Sequence, residues 1–326
     1  MKRILSYISL IIPLTLFFTS GLWYFAGPLF GQPTMTLAPI PDFLRLSENK
    51  QVTFLDLWLP FVDSNKQVGD IPSLTAESVL MYDLDAEKVL FQKNPDDRLP
   101  MASLTKIMTA IIALENPEEN DVYVVSQDAM VGENSMGLSP GEIVTQEDLL
   151  YGLLLPSGND AAEVLAQAYP GGRDAFIQAM NDKARALGLT DTSFTNPSGL
   201  QGDGEQYTTS YDLLVITRYA LETFPLFREI VATAEYTIAP TADHKGFTLE
   251  NETNLITSYP GVKGVKTGYT PEAGLCLVTY LEYEDKKILG VILNSEDRRG
   301  EMKELLDYSL IKQGVTPPPY EEPLFF

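Results

Sequence analysis

The chain has 326 residues, 44% of them hydrophobic and 21% charged, enough to bury a core in one large domain or two smaller ones. Its 45 acidic residues against 23 basic ones leave a net charge of −22, which argues against nucleic-acid binding because that needs a basic footprint. One cysteine, Cys276, excludes an intrachain disulfide and multi-cysteine zinc sites, and one histidine, His244, excludes the paired-histidine zinc hydrolases.

Lys2 and Arg3 are followed by no charged residue until Asp42. The apolar stretch over 4–26 is long enough for a helix to span a bilayer, and the two bases before it orient the N-terminus to the cytoplasm. A cleaved signal peptide is the alternative, although Tyr24 sits badly at position −3 for cleavage after Ala26. Residues 27–73 read as an extracytoplasmic spacer. Two apolar runs, Ser78–Asp83 and Lys88–Gln92, flank a polar turn and predict a hairpin. Ser103–Glu115 has helical spacing in Ile107, Ala110, Ile111 and Leu114. The middle is mostly helical, over 146–155, 160–169, 173–187 and 210–222, with Gly188 as a stop and Ser210 as an N-cap. Strands return over 274–283 and 286–294, followed by a helix over 297–313 and a Pro-rich tail over 316–326. Strands near both ends with helices between them predict an α+β fold: an antiparallel sheet built from N- and C-terminal segments with a helical insertion, over 74–315.

Three short motifs occur in order: Ser103-Leu-Thr-Lys106, Ser157-Gly-Asn159 and Lys266-Thr-Gly268. Each is common enough to arise by chance; Ser309-Leu-Ile-Lys312 and Ser47-Glu-Asn49 repeat the first two in the wrong order. Order and context give the set its force. A serine hydroxyl needs a base to become a nucleophile. At i and i+3 on a helix, Lys106 reaches Ser103. Burial or a second cation, Lys266, lowers a lysine's pKa toward that of a base. Ser103 at a helix start can offer its N–H to an oxyanion. Ser157 can relay a proton, and Asn159 can hold a substrate amide or the Lys106 amine. Lys266-Thr-Gly268 reads as an edge strand to which a peptide can add. There Gly268 leaves room for a bound chain, and Thr267 offers a hydroxyl to a carboxylate.

The stretches Pro100–Ala110, Leu155–Ala162 and Tyr259–Thr270, with Asn196–Leu200 and Tyr207–Ser210, resemble the signatures of the low-molecular-mass penicillin-binding proteins, the serine-type D-Ala-D-Ala carboxypeptidases. The resemblance covers about 74–312. It implies the β-lactamase/transpeptidase-like fold and an acyl-enzyme formed by Ser103 on the penultimate D-Ala of a peptidoglycan stem peptide. Lys106 is then the general base, and Ser157, Asn159 and Lys266 complete the network. The N–H groups of Ser103 and Tyr269 form the oxyanion hole. Lys266, Thr267, Gly268 and Arg298 meet the substrate, with Arg299 a close rival to Arg298. β-Lactams are expected to acylate Ser103, and no metal or cofactor is implied. The C-terminal β-domain of some members is missing, so the N-terminal segment is expected to serve as the membrane anchor. A D,D-endopeptidase stays open, as do a β-lactamase, though 192–200 carries no acid, and a non-catalytic wall-peptide sensor. His244 is expected in a loop and Cys276 as a buried hydrophobe. Asn251-Glu-Thr253 fits a glycosylation sequon.

Overall fold

The computed structural model describes residues 72–320, apart from Glu119, Gln201 and Asp203. The expected hairpin is present: β1 (Ser78–Asp83) pairs antiparallel with β2 (Lys88–Lys93). Its turn closes on the Asp83 carboxylate, whose Oδ1 accepts from the Asp85 and Ala86 N–H groups at 3.0 and 2.9 Å. A 3-10 turn, Ala102–Leu104, leads into α1 (Thr105–Glu115). A small pair, β3 (Tyr123–Val124) and β4 (Ile143–Val144), precedes α2 (Gln146–Leu154), which begins on a reciprocal cap between Thr145 and Asp148. The helical middle continues with α3 (Asn159–Ala168), α4 (Gly172–Ala186), α5 (Ser210–Thr223) and α6 (Pro225–Ala232). A second short pair, β5 (Glu235–Ile238) with β6 (Phe247–Glu250), and the one-turn α7 (Leu255–Ser258) follow. The chain then forms β7 (Val262–Thr270), β8 (Gly274–Tyr283), β9 (Lys286–Ser295) and α8 (Arg298–Lys312).

The main sheet has the order β2-β1-β9-β8-β7 and all its pairings are antiparallel. N- and C-terminal strands therefore share one sheet, with the helices inserted between them. Burial alternates along β1: Leu80 and Tyr82 face the core under the helical middle, while Val79 and Met81 face the one under α8. Both faces are covered, which is why these strands read as continuous apolar runs. The second core is closed by Met302, Leu305, Leu306 and Leu310, all fully buried.

Three expectations need correction. Ser103 does not open the α-helix; it lies in the 3-10 turn before it, because Ala102 adopts φ +48° and breaks the helical path. The cap of α5 is Thr209, whose hydroxyl accepts from Asp212 N–H at 2.9 Å; Ser210 Oγ instead accepts from Ser78 Oγ and donates to Pro95 O. Residues 225–258 hold four elements with no counterpart in the sequence reading, each too short for a periodic pattern to emerge. The expected anchor over 4–26 and the spacer up to residue 71 lie outside the described residues, and no helix among the described residues is long and apolar enough to cross a membrane. His244 does lie in a loop, and Cys276 is fully buried, which pushes its thiol up to about 11. The amide of Asn251 donates to the carbonyls of Val231 and Thr233, so it is a structural group and not a free acceptor for a sugar. The tail carries no helix or strand up to Tyr320, whose hydroxyl donates to Asp307 Oδ2 at 2.9 Å beside the Tyr259 ring.

One buried carboxylate fastens the chain entering the sheet onto the end of the fold. Glu301 accepts from the Thr75 N–H and hydroxyl, the Ala76 N–H and the Ser295 hydroxyl. Replacing Glu301 with alanine orphans these donors, each costing about 1–3 kcal/mol if buried. Urea unfolding of Glu301→Ala is expected to show a loss of about 2–4 kcal/mol; an unchanged midpoint would show that the clasp contributes nothing.

Candidate active site

The nucleophile candidate is placed by backbone contacts. Ala102, in its left-handed conformation, is pressed between two glycines from distant segments. A Cβ on Gly199 (φ +86°) would fall 2.0 Å from Ala102 O, and one on Gly268 would fall 3.0 Å from Met101 O and 3.3 Å from Ser103 N. Only glycine allows β7 and the 196–200 loop to approach the Ser103 turn this closely. The motif strand does form the sheet edge, as expected, and Gly268 passes against Ser103.

Lys106 is fully buried on the first turn of α1. Its Nζ lies 3.0 Å from Ser103 Oγ, 2.7 Å from Asn159 Oδ1 and 2.7 Å from Ser198 O. Asn159 is oriented by its other amide atom, since Nδ2 donates to Gly132 O at 3.2 Å and leaves Oδ1 for the lysine. A neutral amine has two N–H bonds and one lone pair. In that neutral form the two carbonyl-type oxygens would take the N–H bonds and leave the lone pair for the Ser103 hydroxyl. Burial, then the nearby charge of Lys266, holds the Lys106 pKa well below the ordinary lysine value. The arrangement is one in which a neutral Lys106 could take the Ser103 proton.

Ser157 sits in the turn between α2 and α3 with φ +62°, a conformation uncommon for serine. Its buried Oγ and the buried Nζ of Lys266 have no hydrogen-bond partner among the described residues. Burial lowers the Lys266 pKa to about 8, opposed by Glu252 and assisted by Arg298. Thr267 is nearly buried, and Tyr269 is 61% exposed on the same edge strand. Arg298 NH1 donates to Gly268 O at 2.7 Å and lies 3.4 Å from Cys276 O, so it braces the motif strand from α8. Its neighbour Arg299 leaves a buried Nε without a hydrogen-bond partner among the described residues. All of the expected site residues thus belong to the Ser103 turn and the first turn of α1, the start of α3 and its preceding turn, or β7 with Arg298 behind it.

Other contributors carried no assigned role in the sequence. Asn196 holds the third support of Lys106: its Oδ1 accepts from Ser198 and Gly199 N–H while its Nδ2 donates to Leu200 O, which fixes the Ser198 carbonyl. The Asn-Pro-Ser-Gly string has the composition of a turn, the one signal that could have pointed to it. Asp160 is buried and accepts from Ser135 Oγ and from the N–H groups of Met136, Gly137, Leu138 and Ala161. It pins the loop whose Gly132 and Asn134 carbonyls accept from the Asn159 side chain and backbone. Glu252, exposed at the rim, accepts from Asn134 Nδ2 at 2.7 Å and from Thr267 Oγ1 at 3.3 Å.

The D-alanyl-D-alanine carboxypeptidase profile of peptidase family S11 matches residues 65–297. The D-alanyl-D-alanine carboxypeptidase DacF of Bacillus subtilis is 34% identical over 251 residues, covering 74% of this chain and 64% of the relative. A D-alanyl-D-alanine endopeptidase of Pseudomonas aeruginosa is 36% identical over 211 residues, covering 63% of this chain and 66% of the relative. The chain thus spans just under two thirds of the length of these two relatives. The crystal structure of the Streptomyces K15 DD-transpeptidase superposes with a TM-score of 0.70 at 32% identity, covering 74% of this chain and 100% of that one. The penicillin-binding/transpeptidase fold and the profile over most of the chain agree: this chain belongs to the D-alanyl-D-alanine carboxypeptidase family.

Proposed function

We propose that the protein is a serine-type D-Ala-D-Ala carboxypeptidase that removes the terminal D-Ala from peptidoglycan stem peptides. The observation that carries this reading is the Lys106 amine, held by Asn159 and Ser198 so that its remaining valence meets Ser103. Lys106 takes the Ser103 proton as Oγ attacks the penultimate carbonyl carbon. The oxyanion is met by the N–H groups of Ser103 and Tyr269, on two segments that Gly268 allows to touch. The C–N bond then breaks, the departing D-Ala amine receives the proton through Lys106 and Ser157, and water hydrolyses the acyl-enzyme. Lys266 and the Thr267 hydroxyl receive the terminal carboxylate, with Arg298 adding positive charge from behind Gly268. β-Lactams present a similar carbonyl and carboxylate and would acylate the same serine. The D,D-endopeptidase reading is supported by the Pseudomonas relative; the same atoms serve, with a longer leaving group.

The apolar stretch over 4–26 supports a further part of this reading: a single-pass anchor with the catalytic body on the extracytoplasmic face, where its substrate lies.

Ser103→Ala is expected to abolish both labelling by a fluorescent penicillin and D-Ala release from a pentapeptide. Unchanged release would end the acyl-enzyme reading, and digestion of cross-linked muropeptides separates carboxypeptidase from endopeptidase products.

The two lysines predict a bell-shaped pH profile. Lys106 works neutral, so acylation rises as pH climbs through its lowered pKa. Lys266 works charged, so acylation falls as pH passes about 8. In Lys266→Arg the guanidinium stays charged, and the alkaline limb of penicillin acylation should move beyond about pH 10. A limb that stays near pH 8 in this variant would assign it to another group.

A further inference from the structure

Among the described residues, Glu252 is the acidic side chain that hydrogen-bonds the motif strand. Glu252 lies on the segment between β6 and α7, with its N–H donating to Leu155 O at 3.1 Å, in the residue pair just before Ser157. That bond ties its backbone to the Ser157 turn. Its carboxylate bridges the two walls of the cleft, Asn134 on one side and Thr267 on the other. Its charge also favours the protonated forms of Lys106, Lys266 and Arg298, so it is felt across the site.

The conflict lies in the Thr267 hydroxyl. A threonine has one O–H to donate. In the free protein that donor is directed at Glu252 Oε2. A substrate whose leaving residue ends in a free carboxylate needs the same donor, and must bring its negative charge beside that of Glu252. A leaving group without a carboxylate meets neither obstacle.

We propose that Glu252 is a specificity-determining residue on the leaving-group side of the cleft, where it competes with a substrate's terminal carboxylate for the Thr267 hydroxyl and so narrows the cleft's preference for anionic over neutral leaving groups. The inference rests on the acyl-transfer reading above. Glu252 is exposed, so the effect is a moderate one: two unit charges about 5 Å apart near water correspond to about a five-fold change in affinity.

The test compares wild type, Glu252→Gln and Glu252→Ala on two substrates: a peptide ending in D-Ala-D-Ala, and a D-alanyl thioester whose leaving group is uncharged. At about pH 6.5, below the Lys266 pKa of about 8 so that Lys266 stays charged without Glu252, both variants are expected to lower KM for the carboxylate-bearing peptide about five-fold, with kcat changed less than about two-fold. The thioester KM should be unmoved. The gain should shrink in about 1 M salt, where the screening length is about 3 Å. An unchanged or higher KM for the peptide, or an equal change on both substrates, would overturn the proposal. Penicillin labelling of the wild type separates the two levels: labelling with no Glu252 effect removes this inference alone, whereas a wild type that neither labels nor turns over either substrate removes the acyl-transfer reading and this inference with it.

Discussion

The site depends on keeping a lysine amine out of water without giving it a carboxylate partner. Lys106 is fully buried, and its three contacts are a hydroxyl, an amide oxygen and a backbone carbonyl. A buried ammonium with no counter-ion is strongly disfavoured, so the group moves toward its neutral form. Lys266 nearby reinforces this. The acids that act on Lys106 through space, Glu252, Asp160 and Glu133, do not bond to it. The same burial that would penalise an ordinary helix lysine here favours the neutral amine that the proposed mechanism needs.

That constraint dictates the surrounding architecture. Lys106 is satisfied by three chain segments far apart in sequence: its own helix entry, the start of α3 and the 196–200 loop. Each has its own brace. The helix entry is held by Gly199 and Gly268 closing on Ala102. The start of α3 is held by Asp160 and the 132–138 loop. The third is held by the Asn196 side chain. The sheet supplies the remaining wall. β7 is at the edge, so its outer side is open to an added chain, and β8 and β9 tie it to β1 and to α8, which carries Arg298. The acidic surplus of the chain does not conflict with this. The useful cations are buried in one cleft, and net charge says little about the sign of the ligand there.

Legibility in the sequence varied with the kind of interaction. The sheet strands and longer helices were readable because both core faces impose apolar patterning over many residues. The motif order also set the Ser103 motif apart from the second Ser-x-x-Lys, whose residues do not meet: Ser309 lies inside α8 with its hydroxyl donating to Leu305 O, and Lys312 reaches Leu90 O. The Ser103 turn was misread as helix because nothing in an alanine announces a positive φ; the cause is two glycines about 97 and 166 residues away. Asp160 and Glu252 were legible as acids but not as contacts, since a carboxylate's partners are set by tertiary placement. Between Arg298 and Arg299, where the resemblance left the choice open, only the former donates to Gly268 O.

The most direct test of this account is the protonation state of Lys106 in the free protein. Lysine labelled with 13C at Cε, with the Lys106 signal assigned by its loss in Lys106→Arg, reports amine against ammonium as pH is varied. The account predicts a neutral amine at pH 7.5, with protonation appearing only on acidification. A signal that stays in the ammonium form up to about pH 10, the ordinary lysine range, would contradict it.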